Sequence, residues 1–315
     1  MAEALGIRAA AVCAVVTACA LAACVPLDVS RSAPDAILFE PEGAYARLFS
    51  PARHNFRYTL ETSREPVRRG ARAERFELRN GDCGGTDCGN DRARAEIHQT
   101  SPREKAQIGQ ERWYGWSFYN GTVPALPENE SLRLVFGQWT VGGGVPPAIR
   151  LIALSDGEGD WEACDPRICA GPSRGSGGVV APLMDVSRAR DAGPAANEGY
   201  ICNVFDLDAT RRQWLDLVLH TNFSAGPDGF LRIWVDGELR CAYQGPIVSE
   251  RSVAEGSAVE VRRGVFASYT KRWEARRGDT PWPTMVVYYD EFSTGARRSD
   301  VDVAMREANG RRPLD

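Results

Sequence analysis

The stretch that decides the fold is Leu132-Arg-Leu-Val-Phe-Gly-Gln-Trp-Thr140. Apolar side chains occupy every second position from Leu132 to Phe136, which is the period of a half-buried β-strand. The predicted strand ends in Gln138 and Trp139. An amide can bond a hydroxyl or a carboxylate, and an indole can pack on a sugar face, so the pair suits a carbohydrate cleft. The alternative is that Trp139 belongs to the core and Gln138 to a solvated strand end.

The same alternation predicts further short strands on both sides of this stretch. They lie at residues 56–60, 75–79, 92–98, 113–119, 148–154, 214–220, 229–235 and 284–289. Asp236-Gly237 is a strong tight-turn signal between two of them. Short strands separated by Gly, Pro and Asp indicate an all-β protein, and we expect a single-domain, two-sheet β-sandwich of the jelly-roll, concanavalin-like type over residues 41–296.

The composition limits the partners of the chain. The formal net charge of -4 argues against nucleic-acid binding. Lys105 and Lys271 are the only lysines, and the other 36 basic residues are arginines. Arginine forms bidentate contacts with carboxylates and sulfates better than lysine does, although codon bias would give the same excess. We expect a monomer.

Residues 1–24 have the pattern of an export signal. Arg8 precedes an apolar run from Ala9 to Ala20, which is too short to span a membrane as a helix. Leu21-Ala-Ala-Cys24 resembles the bacterial lipoprotein cleavage box, in which the cysteine becomes the lipidated first residue. We therefore expect an exported bacterial lipoprotein, anchored to a membrane through Cys24 and located in the outer membrane or periplasm. An ordinary secretory signal is the alternative, and residues 25–40 are a predicted linker.

Six cysteines remain after the signal segment, and an even number in an exported chain implies disulfides. The expected pairs are Cys83 with Cys88, Cys164 with Cys169, and Cys202 with Cys241, although the sequence alone does not fix this connectivity. A site with four thiolates for a metal is the rival, but zinc sites usually have tighter spacing. No cofactor is expected. A structural calcium in the Asp-rich loop 155–165 stays open.

Several short motifs together resemble one known family. In chain order they are Arg75 to Leu78, Arg94 to Ile97, Gly109 to Phe118, Gly137 to Trp139, Trp214 to His220, Gly229 to Gly237, Arg263 to Phe266 and Val287 to Asp290. Their order is similar to that of the jelly-roll polysaccharide lyases of the heparin-lyase-like and glucuronan-lyase-like group, with alginate lyases as more distant relatives. The resemblance covers most of residues 40–296. It implies β-elimination of an acidic, uronate-containing polysaccharide.

That reaction sets the roles of the candidate site residues. The uronate carboxylate must be neutralised, a base must take the adjacent proton, and an acid must protonate the leaving oxygen. Arg94, Glu96 and His98 stand at alternate positions of one predicted strand, so they share one face. We expect Arg94 and Gln138 to neutralise the carboxylate, Glu96 to orient the substrate, and His98 with Tyr269 to form the acid/base pair. A surface ion pair between Arg94 and Glu96 is the alternative.

Substrate contacts are expected from five residues: Glu96, Trp116, Trp139, Lys271 and Tyr289. The chain departs from the family pattern at two positions. Thr140 stands where relatives have a histidine, and Phe266 stands where they have a tyrosine. His98 and Tyr269 are the predicted substitutes, since neither Thr nor Phe transfers a proton under ordinary conditions.

The sequence is also compatible with other functions. Without working substitutes, the chain would be a non-catalytic glycan-binding jelly-roll lipoprotein, and the lipoprotein box also allows a structural envelope protein. A hydrolase would use Glu96, Glu111 and Asp290, but no paired carboxylates stand on one strand. His220 is expected to be a packed structural histidine. The charged tail 297–315 is expected to lie loosely on the surface.

Overall fold

The computed structural model describes residues 38–125, 132–142, 144–153, 178–183, 185–186, 200–256 and 258–315. The described part of the chain is mostly β-structure. The strands, numbered in chain order, are β1 Tyr45–Leu48, β2 Phe56–Tyr58, β3 Glu74–Leu78, β4 Arg92–Gln99, β5 Ala106–Gln107, β6 Arg112–Asn120, β7 Arg133–Thr140, β8 Ile149–Ala153, β9 Gly178–Pro182, β10 Tyr200–Asp206, β11 Trp214–Thr221, β12 Phe230–Val235, β13 Glu238–Gln244, β14 Ala258–Ser268 and β15 Met285–Gly295.

The strands form two antiparallel sheets that pack face to face. The front sheet has the order β1-β4-β14-β7-β8-β9-β10, with β5 paired to β14. The back sheet has the order β13-β12-β11-β6-β15-β3-β2. This arrangement confirms the predicted all-β, two-sheet sandwich. The predicted turn is also confirmed, because Asp236 and Gly237 join β12 to β13 with φ values of 49° and 81°.

Short helices complete the described structure. They are α1 Glu250–Glu255, α2 Thr270–Arg277, α3 Arg298–Val301 and α4 Val303–Ala308, with single 3₁₀ turns at Arg53–Asn55, Glu61–Ser63 and Gly85–Asp87. Within the described ranges, no helix has the length and apolar character that a membrane crossing needs. The export signal and the lipid site Cys24 lie outside the described residues, as does the suggested calcium loop.

Three aromatic residues that were expected to bind substrate instead form the core between the sheets. Trp139, Trp116 and Tyr289 are 1%, 3% and 2% exposed. The indoles of Trp116 and Trp139 pack with ring centroids 5.9 Å apart, and the Tyr289 hydroxyl donates to the carbonyl of Gly264 at 2.9 Å. Their predicted role in substrate binding is therefore wrong, because neither sheet leaves them accessible to a polymer.

A bulge in β7 explains the position of Trp139. The register between β7 and β8 shifts between Val135 and Gly137, so β7 gains a residue there. An extra residue reverses which face each later side chain occupies. Leu134 points into the core before the bulge, and after it Trp139 points into the core while Gln138 points to the opposite face.

Two predicted disulfides are confirmed. Cys83 and Cys88 are bonded, with their Cα atoms 5.1 Å apart. Cys202 of β10 is bonded to Cys241 of β13, which links the edge strands of the two sheets. The third expected pair, Cys164 with Cys169, lies outside the described residues.

The C-terminal segment does not lie loosely on the surface, contrary to expectation. Val301 and Val303 are 0% and 1% exposed. Glu291 accepts hydrogen bonds from the side chain of Arg306 and from the backbone N–H of Leu314. Apolar burial and a buried ion pair therefore hold the segment against the back sheet.

Candidate active site

A cleft lies on the face of the front sheet that points away from the core. It extends along β14 from Arg262 to Ser268 and has a volume of about 490 Å³. At about 3.3 Å per residue, this part of β14 is roughly 20 Å long. Among the described residues that line it there is one carboxylate, Asp185, and there are six arginines: Arg92, Arg94, Arg133, Arg150, Arg251 and Arg262. By formal charge the described lining is therefore basic, although the chain is acidic overall.

Sheet register places four polar residues in one row across this face. His98 of β4 and Gln138 of β7 both pair with Arg262 of β14, and Arg150 of β8 pairs with Gln138. Adjacent strands are about 4.8 Å apart, so the Cα atoms of His98 and Gln138 are separated by roughly 10 Å. The row combines a titratable ring, an amide and two guanidinium groups.

Gln138 is fixed in this row by two charged neighbours. Its Nε2 donates to Glu96 Oε1 at 2.7 Å, and its Oε1 accepts from Arg150 Nε at 3.1 Å. A carboxylate on one side and a guanidinium on the other leave one sensible orientation of the amide. Among the residues that the structure describes, only Glu96 accepts from Nε2, so the second hydrogen is available to another acceptor. Gln138 is 2% exposed, so it is not the solvated strand end of the alternative interpretation.

Arg94 is engaged by carboxylates of the protein. Its Nη2 donates to Asp87 Oδ1 at 3.0 Å, its Nε donates to Asp87 Oδ2, and its Nη1 donates to Glu96 Oε2 at 2.9 Å. Burial lowers the pKa of Arg94, but the charge of Glu96 and the bonds to Asp87 outweigh burial and raise the pKa above its ordinary value. This is a buried network rather than the surface ion pair of the alternative interpretation. Arg94 therefore stabilises the floor of the cleft more than it offers a free cation.

His98 lies beside the cleft rather than in its lining. Its Nδ1 is 3.4 Å from Glu260 Oε1, and its side chain is 25% exposed. Glu260 also contacts Lys105 at 2.9 Å and Arg262 at 2.8 Å. Burial raises the pKa of Glu260, but the bonds from His98, Lys105 and Arg262 outweigh it and lower the pKa to about 2. His98 thus faces a carboxylate that stays ionised over the working range of most proteins.

Tyr269 lies at the opposite end of the cleft from His98. It follows Ser268, which pairs with Arg92 six residues before His98 in β4, so His98 and Tyr269 are roughly 20 Å apart. The Tyr269 ring packs against the guanidinium of Arg133 at 4.7 Å and that of Arg272 at 3.9 Å. The structure does not bring His98 and Tyr269 together as an acid/base pair. Lys271 is exposed, outside the cleft lining.

Both positions that depart from the family pattern line the cleft. Thr140 accepts a hydrogen bond from the backbone N–H of Gly142 at 3.3 Å. The Phe266 ring lies 4.5 Å from the guanidinium carbon of Arg94. Phe266 therefore packs the buried arginine, and neither residue supplies a proton-transfer group.

The other carboxylates and histidine singled out in the sequence lie on the back sheet. His220 is 4% exposed, and its ring stacks on Trp113 with centroids 3.6 Å apart, which confirms it as a packed histidine. Its Nε2 bonds Glu111 at 2.7 Å. Burial lowers the pKa of His220 despite that bond. Because Glu111 precedes β6 of the back sheet, Asp290 lies in β15 of the same sheet and Glu96 lies in the front sheet, the three do not form a hydrolase pair.

Two residues of this network were not predicted from the sequence: Arg150, which bonds Gln138, and Asp87, which bonds Arg94. Arg150 stands between Ile149 and Leu151 in a predicted strand, so alternation alone put it on the polar face. Asp87 had no signal beyond its place beside Cys88. In the described residues, no group of His, Cys, Asp and Glu has the arrangement of a metal site.

Comparison with known proteins identifies the class of this fold. A family model described as "Polysaccharide lyase" matches residues 49–293. The chain therefore belongs to the polysaccharide lyase family. No curated protein matches it in sequence.

The fold is similar to those of several solved structures. An endo-beta-1,4-glucuronan lyase from Trichoderma reesei is 16% identical, with a TM-score of 0.47 over 85% of this chain and 93% of its own. The alginate lyase AlyC3 is 12% identical, with a TM-score of 0.43 over 71% and 74%. A GH131 beta-glucanase catalytic domain from Podospora anserina is 13% identical, with a TM-score of 0.47 over 84% and 89%.

Proposed function

We propose that this protein cleaves an acidic, uronate-containing polysaccharide by β-elimination. The observation that carries the proposal is Gln138, held between Glu96 and Arg150 in a cleft whose described lining has six arginines. β-Elimination builds negative charge on the uronate carboxylate as the adjacent proton leaves. Donors that are already oriented stabilise this charge without rearranging.

The row across the front sheet suggests how the groups act. The uronate carboxylate accepts from the second Nε2 hydrogen of Gln138 and lies near the guanidinium groups of Arg150 and Arg262. His98, in the same row, takes the proton adjacent to the carboxylate. The electron pair of that C–H bond forms the new double bond as the glycosidic C–O bond breaks, and the leaving oxygen takes a proton from solvent water. Tyr269 is too distant to act on the same bond, so we assign it no role in this step.

The test is the ultraviolet absorbance of the unsaturated uronate product. The mature chain is incubated with glucuronan, alginate, heparin, heparan sulfate and polygalacturonate. We expect product from one polymer, and loss of at least about 100-fold in kcat/KM in His98→Ala, the usual size of a general-base effect. His54→Ala is the matched control, because His54 is 26% exposed and also bonds a carboxylate, that of Asp82 at 2.8 Å.

The outcomes distinguish the roles of His98 and Tyr269 and the two candidate functions. Full activity in His98→Ala removes His98 from the chemistry, and loss of activity in Tyr269→Phe returns Tyr269 to it. Binding of a polymer without any product supports the non-catalytic glycan-binding alternative.

We also propose that the protein is exported and anchored through a lipid on Cys24. The disulfides Cys83–Cys88 and Cys202–Cys241 support an oxidising compartment. Metabolic labelling with a radioactive fatty acid is expected to label the chain but not Cys24→Ser. Unlabelled wild-type chain would contradict the lipid anchor.

A further inference from the structure

The loop before β4 has one buried residue, and it is charged. In residues 81–90, Asp87 is 1% exposed while its neighbours are exposed or half-buried. The disulfide Cys83–Cys88 closes this loop around the 3₁₀ turn that ends at Asp87. The loop is also seated tightly, because a Cβ on Gly85 would lie 2.7 Å from the Phe49 ring. Asp87 therefore has a fixed backbone position.

Asp87 begins a chain of charged contacts that ends in the cleft. Its carboxylate accepts hydrogen bonds from both Nε and Nη2 of Arg94, and Arg94 Nη1 donates to Glu96 Oε2 at 2.9 Å. The other oxygen of Glu96 accepts from Gln138 Nε2 at 2.7 Å. Each of the four side chains is 5% exposed or less, so water does not screen these contacts.

The two oxygens of Glu96 accept from different donors, and this arrangement depends on Asp87. Arg94 can form side-on, bidentate pairs with a carboxylate. While Asp87 occupies Nε and Nη2, only Nη1 reaches Glu96, and one oxygen of Glu96 is left for Gln138. Without that partner, the guanidinium can turn toward both oxygens of Glu96 and compete with the amide of Gln138 for Oε1.

We propose that Asp87 is a positioning residue, held by the Cys83–Cys88 disulfide, that sets the Gln138 amide through Arg94 and Glu96 for binding of an anionic sugar carboxylate. The ligand class rests on the proposed function. The positioning of Gln138 does not, because it is a property of the protein without ligand.

The first experiment needs no ligand. The Gln138 side-chain amide is identified in a ¹H–¹⁵N spectrum as the signal pair that Gln138→Ala removes. In Asp87→Asn and in Cys83→Ser/Cys88→Ser, we expect this pair to shift and its exchange with water to accelerate at least about tenfold. Cys202→Ser/Cys241→Ser is the matched control, since it removes a disulfide that joins strands β10 and β13 instead. An unchanged Gln138 signal in Asp87→Asn would overturn the proposal.

The second experiment is a double-mutant cycle on affinity for a uronate oligosaccharide, measured by calorimetry. Asp87→Asn is expected to weaken binding about tenfold in the wild-type background and less than about twofold in the Gln138→Ala background. A general loss of structure would weaken binding equally in both backgrounds and would overturn the proposal.

The two experiments separate two failures. A wild-type chain that binds and cleaves none of the acidic polymers contradicts the proposed function and the ligand class. The Gln138 signal still decides whether Asp87 positions the amide.

Discussion

Gln138 is the cleft residue whose side-chain type is set most closely by its hydrogen-bond partners. Glu96 accepts from its nitrogen and Arg150 donates to its oxygen, so an amide fits where a carboxylate of the same shape does not. The buried Glu96 oxygen needs a donor, and an unpaired buried carboxylate oxygen is costly.

Gln138→Glu tests this requirement. The substitution places a second carboxylate 2.7 Å from Glu96 Oε1 and beside the proposed position of the substrate carboxylate. We expect affinity for a uronate oligosaccharide to fall at least about tenfold, measured by calorimetry at pH 7. Gln244→Glu adds the same charge at an exposed position of the back sheet and should change affinity less than about twofold. Equal losses of affinity in the two variants would show that the added charge weakens binding wherever it is placed.

The raised pKa of Asp290 makes the free energy of unfolding depend on pH. Burial raises its pKa to about 7, although the backbone N–H groups of Arg69, Arg68 and Glu291 bond it. Its pKa in an unfolded chain is about 3.9. Between these values the folded state keeps a proton that the unfolded state has lost, so the free energy of unfolding falls as the pH rises from about 4 to about 7.

Asp290→Asn should remove this part of the pH dependence. Between pH 5 and pH 8, we expect the wild-type chain to lose about 3 kcal/mol more unfolding free energy than the variant does. Urea denaturation at both pH values measures the difference. Identical losses would show that Asp290 is ionised throughout this range.

Among the elements, β7 and β14 determine where the cleft side chains point. The bulge in β7 reverses its alternation, so a strictly alternating strand would have sent Gln138 into the core. β14 was missed from the sequence. Val259 and Val261 alternate, but Arg263 then points into the core, where it pairs with Glu74, and Gly264 follows at a register shift. A buried arginine and a bulge conceal the pattern that identifies a strand.

The contact of α3 with the back sheet gives a prediction at this scale. A Cβ on Gly115 of β6 would lie 2.1 Å from the backbone oxygen of Val301, so no side chain fits there. Gly115→Ala should lower the free energy of unfolding by about 2 kcal/mol by displacing α3. Gly89→Ala is the control, since its nearest neighbour is 3.9 Å away. Thermal unfolding of both variants provides the comparison, and equal melting temperatures would contradict the tight contact.

For the whole molecule, the Cys202–Cys241 disulfide joins the two sheets at their edges. It closes a segment with a sequence separation of 39 residues. By the loop-entropy relation, Cys202→Ser/Cys241→Ser should lower the free energy of unfolding by about 4 kcal/mol. Guanidinium chloride denaturation measures it. The Cys83–Cys88 disulfide closes a separation of only 5 residues, so its removal should cost less. A smaller loss of unfolding free energy in Cys202→Ser/Cys241→Ser than in Cys83→Ser/Cys88→Ser would contradict the relation.

The basic cleft in an acidic chain gives a second prediction for the whole molecule. The chain has a net charge of -4, whereas the described cleft lining has six arginines and one carboxylate. Binding of an acidic polymer should therefore weaken at least about tenfold between 0.05 M and 0.5 M salt, because salt screens these charges. A neutral glucan should show no such dependence. Affinity independent of salt would mean that the arginines do not contact the polymer.

The sequence by itself determined the sandwich, most of its strands and one turn, because alternation and Asp-Gly are local patterns. It suggested the two observed disulfides without fixing them, because the pairing of Cys202 with Cys241, 39 residues apart, depends on how the two sheets pack. It also placed Arg94, Glu96 and His98 on one face of β4, since residues two apart in a strand share a face. The tertiary structure decided the rest. Only the register of β4, β14, β7 and β8 aligns His98, Arg262, Gln138 and Arg150 and separates His98 from Tyr269. Only packing showed that Trp116, Trp139 and Tyr289 are core, because a half-buried aromatic strand has the same sequence pattern whether its rings face a ligand or the opposing sheet.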